Sequence, residues 1–196
     1  MTITVLIFQD YKDNFFPADR REITVKSLFL FDGCEKKSKK TNAARLLDRA
    51  KIPYTLIPYE VDEEDLSCTH VAAQLGEAIE CVFKTLVLKG DRSGYFVCVV
   101  PGDHEVDLKA AARVSGNKKA DLIPMKEPLP VTGYIRGGCS PIGMKRAFPT
   151  YIHSSCLGLS EIYVSAGVRG LQIRIAPDAL IAFTRAETAD LIRKEE

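Results

Sequence analysis

The segment that most restricts the fold is Cys81–Lys89, CVFKTLVLK. Side chains on a strand alternate between faces. Val82, Lys84, Leu86 and Leu88 therefore share one face, and Phe83, Thr85, Val87 and Lys89 share the other. Both faces are mainly apolar, which requires cover on both sides and predicts a central strand. Asp91-Arg92-Ser93-Gly94 has the composition of a turn, and Tyr95–Val100 reads as the returning strand of a hairpin. Lys84 is the anomaly. A lysine on such a strand either carries its ammonium out along an apolar stem or meets something negative.

The remaining pattern alternates helices and strands. Thr41 is placed to cap a helix through Lys51, with Ala44, Leu46, Leu47 and Ala50 at helical spacing and Pro53 as the stop. Tyr54–Tyr59 reads as a strand, followed by the acidic run Asp62 to Asp65. Thr69 is placed to cap a helix ending at Gly76, and Asp107–Ser115 is a short helix stopped by Gly116. Thr150–His153, Glu161–Val164 and Leu171–Ile175 are further strands, and Pro177–Leu180 and Glu187–Lys194 read as closing helices. Hairpin-spaced strands interspersed with helices predict an α+β domain.

Residues 1–40 differ from this pattern. MTITVLIF and EITVKSLFLF are strand-like, and a charged run around Lys36 to Lys40 separates them from the rest. Two arrangements suit them: a hairpin added to a larger sheet, or an N-terminal extension outside the working domain of residues 41–196.

Composition excludes several classes. With 196 residues, 46% hydrophobic and 27% charged, the chain is of globular type and not predominantly disordered. The 27 basic and 26 acidic residues give a net charge of +1. Nucleic-acid binding would then rest on a local basic patch and not on the whole-protein field. Six cysteines occur, without a CxxC pair, and His70, His104 and His153 stand at no metal-ligand spacing to them. These cysteines read as reduced core residues, with no metal or other cofactor implied. MTITVLIF lacks the charged start of a secretion signal, and no apolar run approaches the roughly 18 residues of a membrane span. A cytoplasmic location without membrane attachment is the expectation.

The second concentration of chemistry is Gly133-Tyr134-Ile135-Arg136-Gly137-Gly138-Cys139-Ser140-Pro141-Ile142-Gly143. Glycines let main-chain N–H groups approach a ligand closely and build anion nests. A phosphate loop does not fit, because Met144 precedes Lys145. A phosphatase loop does not fit either, because Arg146 stands one residue too far from Cys139. A structural turn and a binding loop both satisfy the pattern. Val164-Ser165-Ala166-Gly167-Val168-Arg169-Gly170 is a similar short loop, and no Ser/His/Asp set stands at a diagnostic spacing.

Phe83-Lys84-Thr85-Leu86, the glycine segment 133–143 and Ile162-Tyr163-Val164-Ser165-Ala166-Gly167-…-Arg169-Gly170-Leu171, in this order, resemble the YbaK family of Cys-tRNA(Pro) deacylases. That family is homologous to the editing domain of prolyl-tRNA synthetases. Thr41–Leu47 and Ile52-Pro53-Tyr54 extend the resemblance over about residues 41–194. The resemblance implies a mixed β-sheet or partly closed barrel with flanking helices. It also implies hydrolysis of a mischarged aminoacyl-tRNA ester without a cofactor. Lys84 matches the essential lysine and Gly137 the substrate-positioning glycine. Tyr59, Thr85, Gly138, Cys139 and Ser165 fall on the substrate-binding positions. Two departures bear on substrate choice: Gln172 stands where some members carry an acidic residue, and a pocket aromatic has no counterpart near Ser67.

The implied mechanism suits a chain without a nucleophile–base pair, because the substrate cysteine's own thiol attacks its ester carbonyl. Lys84 would bind the anionic tRNA end or the developing oxyanion, and N–H groups of Gly137 to Cys139 would hold the carbonyl. Cys139 itself is not required as a nucleophile. Arg45, Arg49, Arg136, Lys145 and Arg146 are candidates for weak contact with the tRNA backbone, with prolyl-tRNA synthetase as a possible partner supplying specificity. The alternatives are a deacylase for Ala-tRNA(Pro) or another small aminoacyl-tRNA, and a non-catalytic accessory that binds tRNA or synthetase.

Overall fold

The computed structural model describes residues 40–124 and 127–193. The strand-like segments expected within residues 1–40 lie outside the described residues, apart from Lys40. The described chain is α+β, as expected, and its strands form two sheets. The first holds β1 (Thr55–Pro58), β6 (Ile162–Ser165) and β7 (Leu171–Ile175) in the order β1-β7-β6, all antiparallel. The second holds β2 (Phe83–Gly90), β3 (Gly94–Pro101), β4 (Ala120–Leu122), β5 (Thr150–His153) and β8 (Glu187–Ala189), in the order β4-β2-β3-β5-β8. In it β2 is antiparallel to β3 and β4, while β5 is parallel to both β3 and β8. A single parallel bridge, Val82 to Tyr163, joins the sheets into an incompletely closed arrangement.

Period-two alternation divides the hydrophobic residues between two cores. Phe83, Val97, Val99 and Ile152 of the larger sheet pack with Ile162, Val164, Ile173 and Ile175 of the smaller one. Leu88, Phe96, Cys98 and Val100 face the opposite way, against Ala111 and Ala112 of α3 (Leu108–Val114). The larger sheet is thus covered on both faces, as the sequence of β2 requires. Each of the large side chains fully buried here contributes about 1.5–3 kcal/mol relative to exposure.

Helix ends follow local chemistry. In α1 (Asn42–Ala50), Thr41 Oγ1 accepts from the Ala44 N–H at 3.2 Å, and Ala43, Ala44 and Leu47 face the core. In α2 (Cys68–Leu75) the cap is Ser67 and not Thr69. Asp65 Oδ1 accepts from the Ser67 N–H at 2.9 Å and Ser67 Oγ from the His70 N–H at 3.2 Å, so paired caps start the helix earlier. Asp107 caps α3 by accepting from the N–H groups of Lys109 and Ala110.

One element departs from the sequence expectation, and two more, β4 and α4, carry no clear local signal. The closing helix expected at Glu187–Lys194 does not form over the described residues 187–193: Arg185 ends α5 (Pro177–Thr184) in the left-handed region at φ 54°, and the chain continues as β8. Its pairing with β5 is long-range and leaves no local periodicity. The three-residue β4 is too short to show a period. Helix α4 (Pro128–Thr132) contains Pro128 and Pro130, a composition that reads as loop although Pro is well tolerated at a helix start.

Candidate active site

At the junction of the sheets, beside α2, lies a cleft of about 700 Å³. Tyr59, Lys84, Thr85, Arg136, Gly137, Cys139 and Ser165 all line it, from four separated stretches of chain. The cleft is an edge property of β2. The Gly102 N–H donates to the Val82 carbonyl at 2.7 Å, and the Ile123 N–H donates to the Val87 carbonyl at 3.2 Å. Alternation therefore turns the main-chain groups of Phe83, Thr85 and Val87 away from β3. The ladder with β4 begins only at Leu88, so the strand edge at Thr85 borders the cavity.

Lys84 is half-buried, and its Nζ donates to the Gly102 carbonyl at 3.0 Å. That bond stretches the side chain across the end of the hairpin instead of out to bulk water. A Cβ on Gly102 would stand 2.3 Å from the Cys68 Cβ, so the start of α2 rests on this glycine. Thr85 Oγ1 is buried without a hydrogen-bond partner among the described residues.

Gly137 holds φ +78°, a conformation that L side chains rarely adopt, at a turn where the Gly138 N–H donates to the Ile135 carbonyl at 3.1 Å. Gly138 does not line the cleft. A Cβ there would sit 3.1 Å from the Val168 carbonyl carbon and 3.2 Å from the Arg169 nitrogen, so this glycine serves the packing of two loops. The Gly138 N–H, an expected donor to a substrate carbonyl, is engaged by the Ile135 carbonyl in this structure. Arg169 Nε donates to the Arg136 carbonyl at 3.0 Å, and Tyr134 OH donates to the Ile142 carbonyl at 2.6 Å. The first bond ties the glycine segment to the loop after β6, and the second closes the segment on itself.

Burial pushes the Cys139 thiol up to about 11, so it is a neutral thiol near pH 7. Cys68 also lines the cleft, and burial raises its thiol as well, partly opposed by the Lys84 cation. No histidine is among the lining residues. Among the described residues no three His, Cys, Asp or Glu side chains are gathered to hold a metal ion. Arg45, Arg49, Lys145 and Arg146 do not line the cleft; Lys145 Nζ donates to the Leu129 carbonyl at 3.4 Å.

Several contributors have no sequence signal as site residues. Cys68 looks like any helix-start residue, and Gly102 acts through its carbonyl. Asp62, Glu64 and Asp65 line the cleft although an acidic run normally reads as solvated surface. Leu122 and Ile123 enter it because the chain leaves β4 there.

The chain matches known proteins. The family model described as an aminoacyl-tRNA editing domain matches residues 62–183. The Enterococcus faecalis protein EbsC, named as a putative Cys-tRNA(Pro)/Cys-tRNA(Cys) deacylase, is 45% identical over 161 residues, 82% of this chain and 98% of its own. A crystal structure described as a putative trans-editing enzyme for prolyl-tRNA synthetase is similar, with TM-score 0.65 and 26% identity over 72% of this chain and 87% of that one. The hypothetical protein APE2540 shares the fold, with TM-score 0.72 at 20% identity over 78% and 99% of the two chains. A lysine beside the open edge of β2, a left-handed glycine turn lining the same cleft and a family match over most of the folded region lead to one assignment: the chain belongs to the aminoacyl-tRNA editing domain family.

Proposed function

We propose that this protein is a trans-editing deacylase that removes cysteine from mischarged Cys-tRNA(Pro) in the cytoplasm. The observation that carries the reading is the composition of the cleft: Lys84 and Gly137 face one cavity in which no histidine can activate a nucleophile. The Cys139 and Cys68 thiols are held protonated by burial. Such a site binds and polarises an ester, and its two lining thiols are not poised to attack it.

The substrate supplies the attacking group. The cysteine sulfur attacks its own ester carbonyl, the S–C bond closes a four-membered thiolactone, and the C–O bond to the ribose breaks. The thiol proton ends on the departing ribose oxygen. Water then opens the thiolactone to free cysteine. Well-oriented intramolecular attack can have an effective molarity of ~10⁵–10⁸ M, so positioning alone gives a large acceleration. Lys84 anchors the anionic tRNA end or the oxyanion, the Gly137 turn seats the carbonyl, and Tyr59, Thr85 and Ser165 orient the amino acid. Arg136 at the cleft, and Arg45, Arg49, Lys145 and Arg146 beyond it, contact the tRNA backbone weakly. Selection of the tRNA then falls to prolyl-tRNA synthetase as a partner.

A second reading keeps the chemistry class and changes the cargo to alanine or another small amino acid. It is favoured by the neutral Gln172 and by Ser67, which is not an aromatic, in the cavity wall. A panel of tRNAs charged with cysteine, alanine, serine and proline separates the two. Preferential loss of the cysteinyl ester is expected; equal or faster loss of the alanyl ester would favour the second reading. An inert panel would leave only a binding accessory.

A further inference from the structure

Gln172 is 6% exposed, lines the cleft, and its Oε1 has no hydrogen-bond partner among the described residues. Most buried polar atoms in folded proteins are paired, so an orphaned acceptor inside a binding cavity calls for an absent donor. Its placement is fixed by register. Ile57, Gln172 and Ser165 form one row across the three-stranded sheet. Ile173 and Ile175 of the same strand lie in the core between the sheets. Alternation therefore turns Gln172 to the other face, the one against which Tyr163 and Ile57 meet α2.

We propose that Gln172 Oε1 accepts a hydrogen bond from the α-ammonium group of the aminoacyl ester and so sets which way the amino acid lies in the cleft. This rests on the deacylase reading. An aminoacyl ester offers several donors, among them the thiol, the ribose hydroxyl and the ammonium. The surroundings choose between them. Asp62, Glu64 and Asp65 line the same cleft, and hydrogen bonds from Ser67 hold the Asp65 carboxyl below the usual carboxylate range. Negative potential favours a cation, and the aminoacyl end of the substrate carries one in a single place. Lys84 repels that cation, so the ammonium turns toward Gln172 and the carbonyl toward the lysine. The hydrogen bond is charge-assisted and hence stronger than one from a neutral donor. An amide at this position does not titrate, so its own acceptor strength is constant across the working pH range.

The test uses two esters of the same tRNA: the cysteinyl ester and its analogue with the α-ammonium replaced by hydroxyl, the thiol retained. Each rate is divided by its own rate in buffer. The wild-type protein is expected to prefer the ammonium ester at least tenfold in kcat/KM. Gln172→Leu should reduce that preference to within about threefold, and Gln172→Glu should keep it. The melting temperature of Gln172→Leu should not fall, because a buried unpaired acceptor is removed; a purely structural glutamine predicts the reverse. If the leucine variant does not fold, Gln172→Met is read in its place. Equal use of both esters by the wild type, or a full preference retained without the amide, would overturn the assignment. If the cysteinyl ester itself is not cleaved, the deacylase reading falls; if it is cleaved without preference, only the role of Gln172 falls.

Discussion

Lys84 Nζ stands 3.0 Å from the carbonyl oxygen of Gly102, across the open end of the β2–β3 hairpin. The bond holds a flexible cation over the cavity before substrate arrives. Gly102 in turn supports the first residue of α2. Lysine, hairpin end and helix start thus form one unit, and the cleft depends on all three.

Lys84→Ala is expected to lower deacylation at least tenfold, while Cys139→Ala changes it less than threefold. The thiol of Cys139 is pushed up to about 11, leaving almost no thiolate near pH 7. Single-turnover rates on Cys-tRNA(Pro) check both variants, and the opposite ranking would make Cys139 the nucleophile.

Gly102→Ala is expected to destabilise the fold by about 1–3 kcal/mol, the usual range for forcing an added methyl group into a packed site. The new Cβ would meet the Cys68 Cβ at 2.3 Å. Adding Cys68→Gly to the same chain should recover part of that stability, since the colliding atom is removed. Denaturant unfolding of the single and double variants measures the coupling.

Stability should fall as the pH drops below about 6.5, the ordinary histidine value. His153 is buried, and its Nδ1 accepts from the Leu191 N–H at 3.0 Å. Burial lowers its pKa, with the nearby Asp190 partly opposing this. Below the unfolded-state pKa the unfolded chain therefore binds more protons than the folded one, and stability is lost on acidification through that window. The tie to Leu191 needs the unprotonated nitrogen. Melting temperature against pH should show the decline in the wild type and a flatter profile in His153→Phe.

Lys145→Glu with Arg146→Glu should raise KM for charged tRNA while leaving kcat nearly unchanged, because both side chains lie outside the cleft. The log–log salt dependence of binding should become shallower by about one for each phosphate that is no longer neutralised. An unchanged salt slope would place the tRNA elsewhere.

Much of this was legible in the sequence. The two-faced apolar pattern of β2 identified a central strand, and the lysine within it stood out because a charge is costly there. The glycine motif was visible as a tight turn, and Gly137 indeed holds a positive φ. Its second glycine was not separable by sequence. Gly137 faces the cavity, while Gly138 packs on Val168 and Arg169, a distinction made only by the partner loop. The parallel pairing of β8 with β5, the carbonyl of Gly102 under Lys84 and the acidic wall at Asp62, Glu64 and Asp65 are products of long-range assembly, with no local pattern to announce them.

The claim that the substrate's own sulfur cleaves its ester is tested most directly by comparing Cys-tRNA(Pro) with S-methylcysteinyl-tRNA(Pro) in single-turnover reactions. The account predicts rapid cleavage of the cysteinyl ester and a rate close to buffer for the methylated one, which retains the ester but has no attacking thiol. Comparable rates for the two esters would contradict it and require a nucleophile from the protein or from water.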